Sequence, residues 1–285
     1  MTTTAKDGEF QKKPSTFCNT ISKDPNAILT PERNRYYLYI ALSCPWVRLE
    51  DIIGLSVADY IMGEKGWKFS NPEETSGCIP DTVNNTQYIR ELYFKANPDY
   101  NRRFEFKILP VLWDKKLQTI VNNESSEIIC IFNDTFDDLI LGAKSKNLYP
   151  KHLASEINKI NNWVFDKINS SPFKYMSHVG PLFKVLDDVE AILSENEFLV
   201  GNTLTEADIR LFVDIVRFDP VYHTLCKPNL KTIKHDYPNI LRWARQIYKI
   251  PKVADTVNMT HIKNGAYKNM KKINPHGIVP VYDRP

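Results

Sequence analysis

No stretch of this chain reaches the run of about 18 apolar residues that a membrane-crossing helix needs. Met1 to Lys13 is polar, carries Asp7 and Glu9, and has no apolar centre, so neither a secretory signal nor a transit peptide is expected. The five cysteines (Cys18, Cys44, Cys78, Cys130, Cys226) are odd in number and far apart, with no Cys-x-x-Cys or zinc-ligand spacing. That usage predicts a reducing, cytoplasmic setting with mostly free thiols. The six histidines are as scattered, and no metal site is expected. A net charge of +3 is too small to argue for nucleic acid, and the short basic stretch Lys268 to Lys272 reads as a solvated surface. Repeats and low-complexity tracts are absent too.

What remains is a soluble globular composition: 285 residues, 42% hydrophobic and 25% charged, enough for one large domain or two ordinary ones. Residues 1–34, broken by Pro14, Pro25 and Pro31, read as an extended arm. Tyr36–Leu42, Leu55–Met62 and Lys107–Trp113 are strand candidates. The turn Asp114-Lys115-Lys116 and the run Gln118–Val121 make the last of these a hairpin, and Ser125–Phe132 reads as a helix. After Tyr149-Pro150 the apolar spacing turns helical. Leu153, Ile157, Ile160, Val164 and Ile168 share a face, as do Leu182, Val185, Leu186, Val189 and Leu193. Thr205 caps a third helix, with Asp208 returning the bond and Leu204 stapled to Ile209. Pro238 opens a fourth, carrying Leu241, Ala244, Ile247 and Tyr248, and Pro251 stops it. The pattern predicts a small α/β unit over 35–140 and an all-α unit over 150–285.

Within that frame Cys44-Pro45-Trp46 carries the most chemical information. A thiol where a strand gives way to a helix faces unpaired backbone N–H groups and the positive end of the helix dipole, and both favour the thiolate. Proline at the first helical position gives up no useful donor. The plain alternative is a buried cysteine acting as a small hydrophobe.

A first half with an active cysteine and a proline-bearing third strand, followed by an all-helical half, resembles the glutathione transferases: a thioredoxin-like N-terminal domain and an all-α C-terminal domain. The chain is most similar to the glutathionyl-hydroquinone reductases, the Xi class, related to the Omega class. The resemblance rests on Arg35-Tyr36-Tyr37-Leu38-Tyr39, Cys44-Pro45-Trp46, Met62-Gly63-Glu64-Lys65-Gly66-Trp67 and Pro110-Val111-Leu112-Trp113-Asp114. It continues through Val121-Asn122-Asn123-Glu124-Ser125-Ser126, Leu204-Thr205-Glu206-Ala207-Asp208 and Arg217-Phe218-Asp219-Pro220-Val221-Tyr222, in family order over nearly the whole length.

The resemblance implies glutathione as co-substrate and no metal. Asn123-Glu124-Ser125-Ser126 lies at a helix start, where backbone N–H groups and the Ser125 hydroxyl would hold the γ-glutamyl carboxylate. Glu124 would take the ammonium group. The backbone of Leu109 would pair with the cysteinyl unit, beside a cis bond at Pro110. Trp67 would cover the bound peptide, and Arg103 is the family's glutathione-site arginine. Tyr267 and Tyr222 are implied to hydrogen-bond a quinol oxygen and donate a proton. The plain alternatives are a helix cap for Ser125, a core aromatic for Trp67 and helix-end packing for Tyr222.

The implied activity is removal of glutathione from glutathionyl-hydroquinones through a Cys44 mixed disulfide, resolved by a second glutathione, in a cytoplasmic homodimer. The partners are small molecules, with neither nucleic acid nor a membrane. Alternatives are an Omega-like thiol transferase or dehydroascorbate reductase using the same sulfur, or a catalytically impaired binding protein on the transferase fold. The sequence departs from the family after Cys44, where positions 43–54 leave about the minimum length for a crossover and its helix, so that helix is expected to be short. It departs again at 170–180, where the family's substrate-site tyrosine has no clear counterpart in Tyr175.

Overall fold

The apolar run at Tyr36 becomes a central strand because every residue of it is buried. The computed structural model describes residues 15–42, 52–100, 108–139, 147–164, 168 and 179–281. Cys44-Pro45-Trp46 with the short helix expected after them, Arg103 and Tyr175 lie outside these. The described residues form two compact units: 15–139 with 258–265, and 147–257 with 266–281.

In the first unit a four-stranded sheet runs in the order β2-β1-β5-β6. Strand β1 (Tyr36–Ala41) is parallel to β2 (Gly54–Ala58) and antiparallel to β5 (Val111–Asp114), which pairs antiparallel with β6 (Thr119–Asn122). Alternation along β1 feeds two cores. Tyr36, Leu38 and Ile40 join Leu112, Val121, Ile128 and Ile131 on the face covered by α2 (Ser125–Asp134). Tyr37 and Tyr39 join Val111, Trp113, Ile89, Leu92 and Tyr93 on the face covered by α1 (Ile89–Ala96). The tyrosine hydroxyls find acceptors, as buried phenols must: Tyr36 donates to the Thr30 carbonyl (2.7 Å), Tyr37 to that of Leu55 (2.9 Å) and Tyr39 to Asp81 (2.9 Å).

Two strand boundaries differ from the sequence reading. β2 ends at Ala58 rather than Met62 because the Asp59 side chain accepts the Ile61 N–H (2.9 Å) in a turn of its own. A separate two-stranded ribbon, β3 (Met62–Gly63) with β4 (Gly66–Trp67), follows. β5 starts at Val111 rather than Lys107, since Pro110 has no N–H for the ladder. Asp114 then closes the hairpin by accepting the Lys116 N–H (2.8 Å), while its carboxylate holds buried Arg35 through Nε and Nη2 (2.7–3.1 Å).

The segment ahead of β1 is extended and docked. Asn19 N–H donates to the Val121 carbonyl (3.0 Å) and Asn123 N–H to that of Phe17 (3.1 Å), with Cys18 opposite Asn122. Ile21 enters the α2-side core. From the far end of the chain, His261 of α9 (Met259–Asn269) is buried in this unit and its Nε2 lies 2.7 Å from the Ser76 carbonyl oxygen.

The second unit is helical: α3 (Ala154–Val164), α4 (Val179–Glu195), α5 (Glu206–Arg217), a π-helical stretch Phe218–Cys226, α6 (Ile233–Asp236), α7 (Pro238–Tyr248), α8 (Val253–Thr256) and the last turns of α9. The predicted α4 face, Leu182, Val185, Leu186, Val189 and Leu193, is buried throughout. On α7 the buried face is Ile240, Trp243 and Ile247; Leu241 and Ala244 flank it and Tyr248 is exposed. The sequence reading had Ile247 right but placed the other three positions one residue off, because it passed over Ile240 and the large Trp243.

Polar groups inside this unit close helix starts. The Asp208 carboxylate accepts from the Thr205 N–H (2.9 Å) and hydroxyl (3.0 Å), the Leu199 N–H (2.9 Å) and Trp243 Nε1 (2.9 Å). Burial raises its pKa against the pull of those four bonds. Glu190 of α4 accepts the Asn239 and Ile240 N–H groups (2.8 and 2.9 Å) at the start of α7. Asp219 accepts those of Ile233 and Lys234 (2.8 and 3.0 Å) at the start of α6.

Candidate active site

Sheet topology brings four chain segments to one edge. β1 and β2 are parallel, and their register runs out at Ala41 opposite Ala58. β5 is antiparallel to β1, so its beginning lies at that same end: Tyr39 faces Val111 and the pairing stops there. β6 runs back alongside, with Asn122 facing Leu112, and delivers α2 to the same edge. The exit of β1 at Ala41, three residues before Cys44 in the sequence, thus meets Leu109 and the start of α2. Reactive loops gather at such carboxyl ends of strands.

At this edge the Leu109–Pro110 peptide is cis. Leu109 stands just beyond the ladder and packs on the α1-side core. The Tyr93 hydroxyl accepts from Asn123 Nδ2 (3.1 Å) and lies 3.5 Å from the Ile108 carbonyl, joining the loop ahead of Pro110 to the end of β6.

The β6–α2 junction is shaped by two asparagines. Asn122 Oδ1 accepts the Glu124 N–H (2.7 Å), a side-chain turn that bends the chain into the helix. Asn122 Nδ2 binds the Asn19 carbonyl (3.0 Å) and Glu127 (2.6 Å). Glu124 occupies the N-cap position in extended conformation, yet its side chain does not cap the helix. Its carboxylate accepts instead from the Ser126 hydroxyl (3.2 Å) and the Ser15 hydroxyl (3.1 Å). Ser125 is the first helical residue and is half-buried. An anion at this helix start would meet backbone N–H groups and the positive end of the dipole.

Trp67 lies in β4, half-buried and packed on the α1-side core, so it carries part of the plain role of a core aromatic. Its neighbour Lys68 is tied through its carbonyl to the Asp59 N–H (2.8 Å), directly after the end of β2. Trp67, Leu109, Glu124 and Ser125 therefore belong to elements that meet at one end of the sheet.

The two candidate tyrosines belong to the helical unit and share a neighbourhood. The Tyr222 hydroxyl donates to Asp214 (3.0 Å), and the buried Tyr267 hydroxyl donates to the Pro220 carbonyl (3.3 Å), two residues before Tyr222. Burial is the main cause that raises both phenols above their ordinary range, and Asp214 adds to the shift at Tyr222.

Among the described cysteines, Cys78 and Cys226 are buried, and burial pushes their thiols up to about 12 and about 11. Neither is a thiolate near neutral pH. Cys18 and Cys130 are exposed.

The sequence reading placed Asn123 at the helix start but gave Asn122, Asn123 and Tyr93 no part in holding this scaffold together. The tandem asparagines at a strand-to-helix junction were a usable signal, since Asn favours such turns. Tyr93 was not, because its partners lie in other elements.

A thioredoxin-like sheet with a cis-proline before its third core strand, a helix start beside it and a separate helical unit define a glutathione transferase. Residues 166–246 match the family model described as glutathione S-transferase, C-terminal domain. The chain is 39% identical to glutathione S-transferase omega-like 2 of Schizosaccharomyces pombe, covering 97% of this chain and 94% of that one. It is 39% identical to glutathionyl-hydroquinone reductase YqjG of Escherichia coli, covering 98% and 90%. The glutathione-bound structure of YqjG superposes with a TM-score of 0.84 over 94% of this chain and 93% of that one. The glutathione-S-transferase Xi of Phanerochaete chrysosporium is 44% identical, with a TM-score of 0.90 over 99% and 95%. The chain belongs to the Xi-class glutathione transferases, the family of the glutathionyl-hydroquinone reductases.

Proposed function

We propose that this chain is a glutathione-dependent reductase that removes glutathione from glutathionyl-hydroquinones, with Cys44 as nucleophile. The observation that carries the reading is the juxtaposition at one sheet edge of the cis Leu109–Pro110 peptide, the start of α2, which the Glu124 side chain does not cap, and the exit of β1 toward Cys44. The glutathione-bound relative, and the reductase name it carries, supply the ligand and the substrate class.

In this reading the γ-glutamyl carboxylate sits on the α2 amides and the Ser125 hydroxyl, and its ammonium on Glu124. The Leu109 backbone pairs with the cysteinyl unit, Trp67 covers the peptide, and Arg103 adds a cation. The substrate ring is first protonated at the sulfur-bearing carbon and becomes a ketone. The Cys44 thiolate then attacks the glutathione sulfur. A Cys44–glutathione disulfide forms, the carbon–sulfur bond breaks, and its electron pair returns to the ring as the hydroquinone. A second glutathione thiolate attacks that disulfide, releasing oxidised glutathione and the Cys44 thiolate. Overall the ring carbon exchanges its bond to sulfur for one to hydrogen, a two-electron reduction, and the released glutathione sulfur is joined to that of one free glutathione as the disulfide. Tyr222 and Tyr267 are proposed to serve the quinol oxygens, each exchanging its present acceptor, Asp214 or the Pro220 carbonyl, for the substrate.

The cysteine usage supports a cytoplasmic site of action, and the family resemblance supports a homodimer. The name of the Schizosaccharomyces pombe relative favours a second reading, Omega-like thiol transfer with the same sulfur. Turnover of a glutathionyl-hydroquinone against a small glutathione mixed disulfide separates the two. The reductase reading expects preference for the thioether and loss of turnover in Cys44→Ser. Preference for the disulfide would replace it with thiol transfer. Turnover that survives Cys44→Ser would overturn both.

A further inference from the structure

We propose that Ser15, in the arm ahead of β1, is a positioning residue that aims the Glu124 carboxylate at the ammonium group of glutathione. The proposal rests on the reading of Glu124 given above and adds a part of the chain outside both domains as read from the sequence.

The arm is not loosely laid against the sheet. Two main-chain bonds, Asn19 N–H to Val121 and Asn123 N–H to Phe17, bracket Cys18 opposite Asn122 in antiparallel fashion. A third comes from Asn122 Nδ2 to the Asn19 carbonyl (3.0 Å). β6 is the outer strand of the sheet, so the arm covers its open edge. Phe17 packs on the α1-side core, its ring centroid 6.0 Å from that of Tyr93 and 5.8 Å from that of Tyr100. These contacts fix where the chain stands two residues before Phe17, and there Ser15 Oγ donates to Glu124 Oε2 at 3.1 Å.

Glu124 is thereby held at both oxygens by hydroxyl donors, Ser15 on Oε2 and Ser126 on Oε1. That hold keeps the carboxylate from turning back to cap its own helix. A carboxylate only accepts, which suits a group with three N–H donors such as an ammonium. A long acidic side chain loses rotamer freedom when it binds, and a clamp that removes this freedom beforehand tightens binding.

The test uses the full-length protein, with glutathione and with a glutathione analogue in which the γ-glutamyl amino group is replaced by hydrogen. Loss of one orienting hydrogen bond in Ser15→Ala should raise the KM for glutathione about fivefold, with kcat at saturation near that of the parent. The same variant should bind the amino-free analogue as the parent does, and Ser15→Thr should restore glutathione affinity. In a Glu124→Gln background, Ser15→Ala should add nothing further. An equal penalty for both ligands would make Ser15 merely structural and overturn the proposal, as would a Ser15→Ala enzyme indistinguishable from the parent. If Glu124→Gln itself leaves the KM for glutathione unchanged, the assignment of Glu124 fails and Ser15 falls with it. If Glu124→Gln weakens binding while Ser15→Ala does not, Ser15 fails alone.

Discussion

Three helix starts of the helical unit and the start of α2 in the sheet unit are treated in opposite ways. In the helical unit the protein supplies its own anions: Asp208 at α5, Glu190 at α7 and Asp219 at α6. In the sheet unit, α2 begins at Glu124, whose carboxylate is tied to Ser15 and Ser126 and does not cap it. A helix start filled from within is a packing device. One that its own N-cap side chain leaves uncapped, beside a cis-proline and a strand exit, suits a ligand's carboxylate, as proposed above. In the proposed reading the same dipole serves stability at one set of helix starts and recognition at the other.

The largest break in this comparison comes at Asp208. Asp208→Ala leaves the buried N–H groups of Leu199, Thr205 and Trp243 without an acceptor, and should cost at least ~3 kcal/mol. Hydrogen exchange should show the amides of α5 and α7 losing protection before those of β1 and β5. Equal loss in both units would mean that the hub is not local.

Glu190→Ala removes the cap of α7 and should cost about 1–2 kcal/mol, read as a lowered denaturation midpoint at unchanged slope. A shift within error would show that water replaces the carboxylate there.

The third test is of pH. Because burial raises the Asp208 pKa, the folded chain keeps a proton that the unfolded chain has already lost. From the ordinary value of 3.8 up to the raised folded value, this group makes stability fall as pH rises. Asp208→Asn should abolish that contribution, visible as a flatter slope of unfolding free energy across the same window. An unchanged slope would place the titration elsewhere.

The smallest expected change in stability sharpens the contrast from the other side. Aspartate is a strong N-cap, so Glu124→Asp should let the carboxylate turn onto the α2 amides and gain up to about 1 kcal/mol. The same variant should bind glutathione more weakly, because the helix start is then filled. Calorimetric titration checks both parts, and tighter binding by this variant would contradict the open-start account.

Much of the frame could be read from residue order. β1 announced itself as an unbroken apolar run, and the α4 face as a helical repeat, because burial on two faces or on one leaves those periods in the chain. The Thr205–Asp208 pairing was legible too, since its partners lie three residues apart. What escaped depends on distance along the chain. Ser15 reaches Glu124 across 109 positions, and nothing local to either predicts the contact. The docked arm was read only as polar and extended, because its hold on β6 is made by main-chain groups that leave no mark on composition. The α7 face was read correctly only at Ile247, because Trp243, a large core residue that also donates to Asp208, breaks the simple aliphatic pattern. Cys44 was singled out from its setting between strand and proline, and it lies outside the described residues.

The most direct measurement is mass spectrometry of the intact and digested protein after a single turnover with a glutathionyl-hydroquinone and no free glutathione. The account predicts one equivalent of released hydroquinone and one glutathione adduct, mapped to Cys44 and absent from Cys44→Ser. A folded enzyme that releases hydroquinone without an adduct on Cys44, or with its adduct on Cys18 or Cys130, would contradict it.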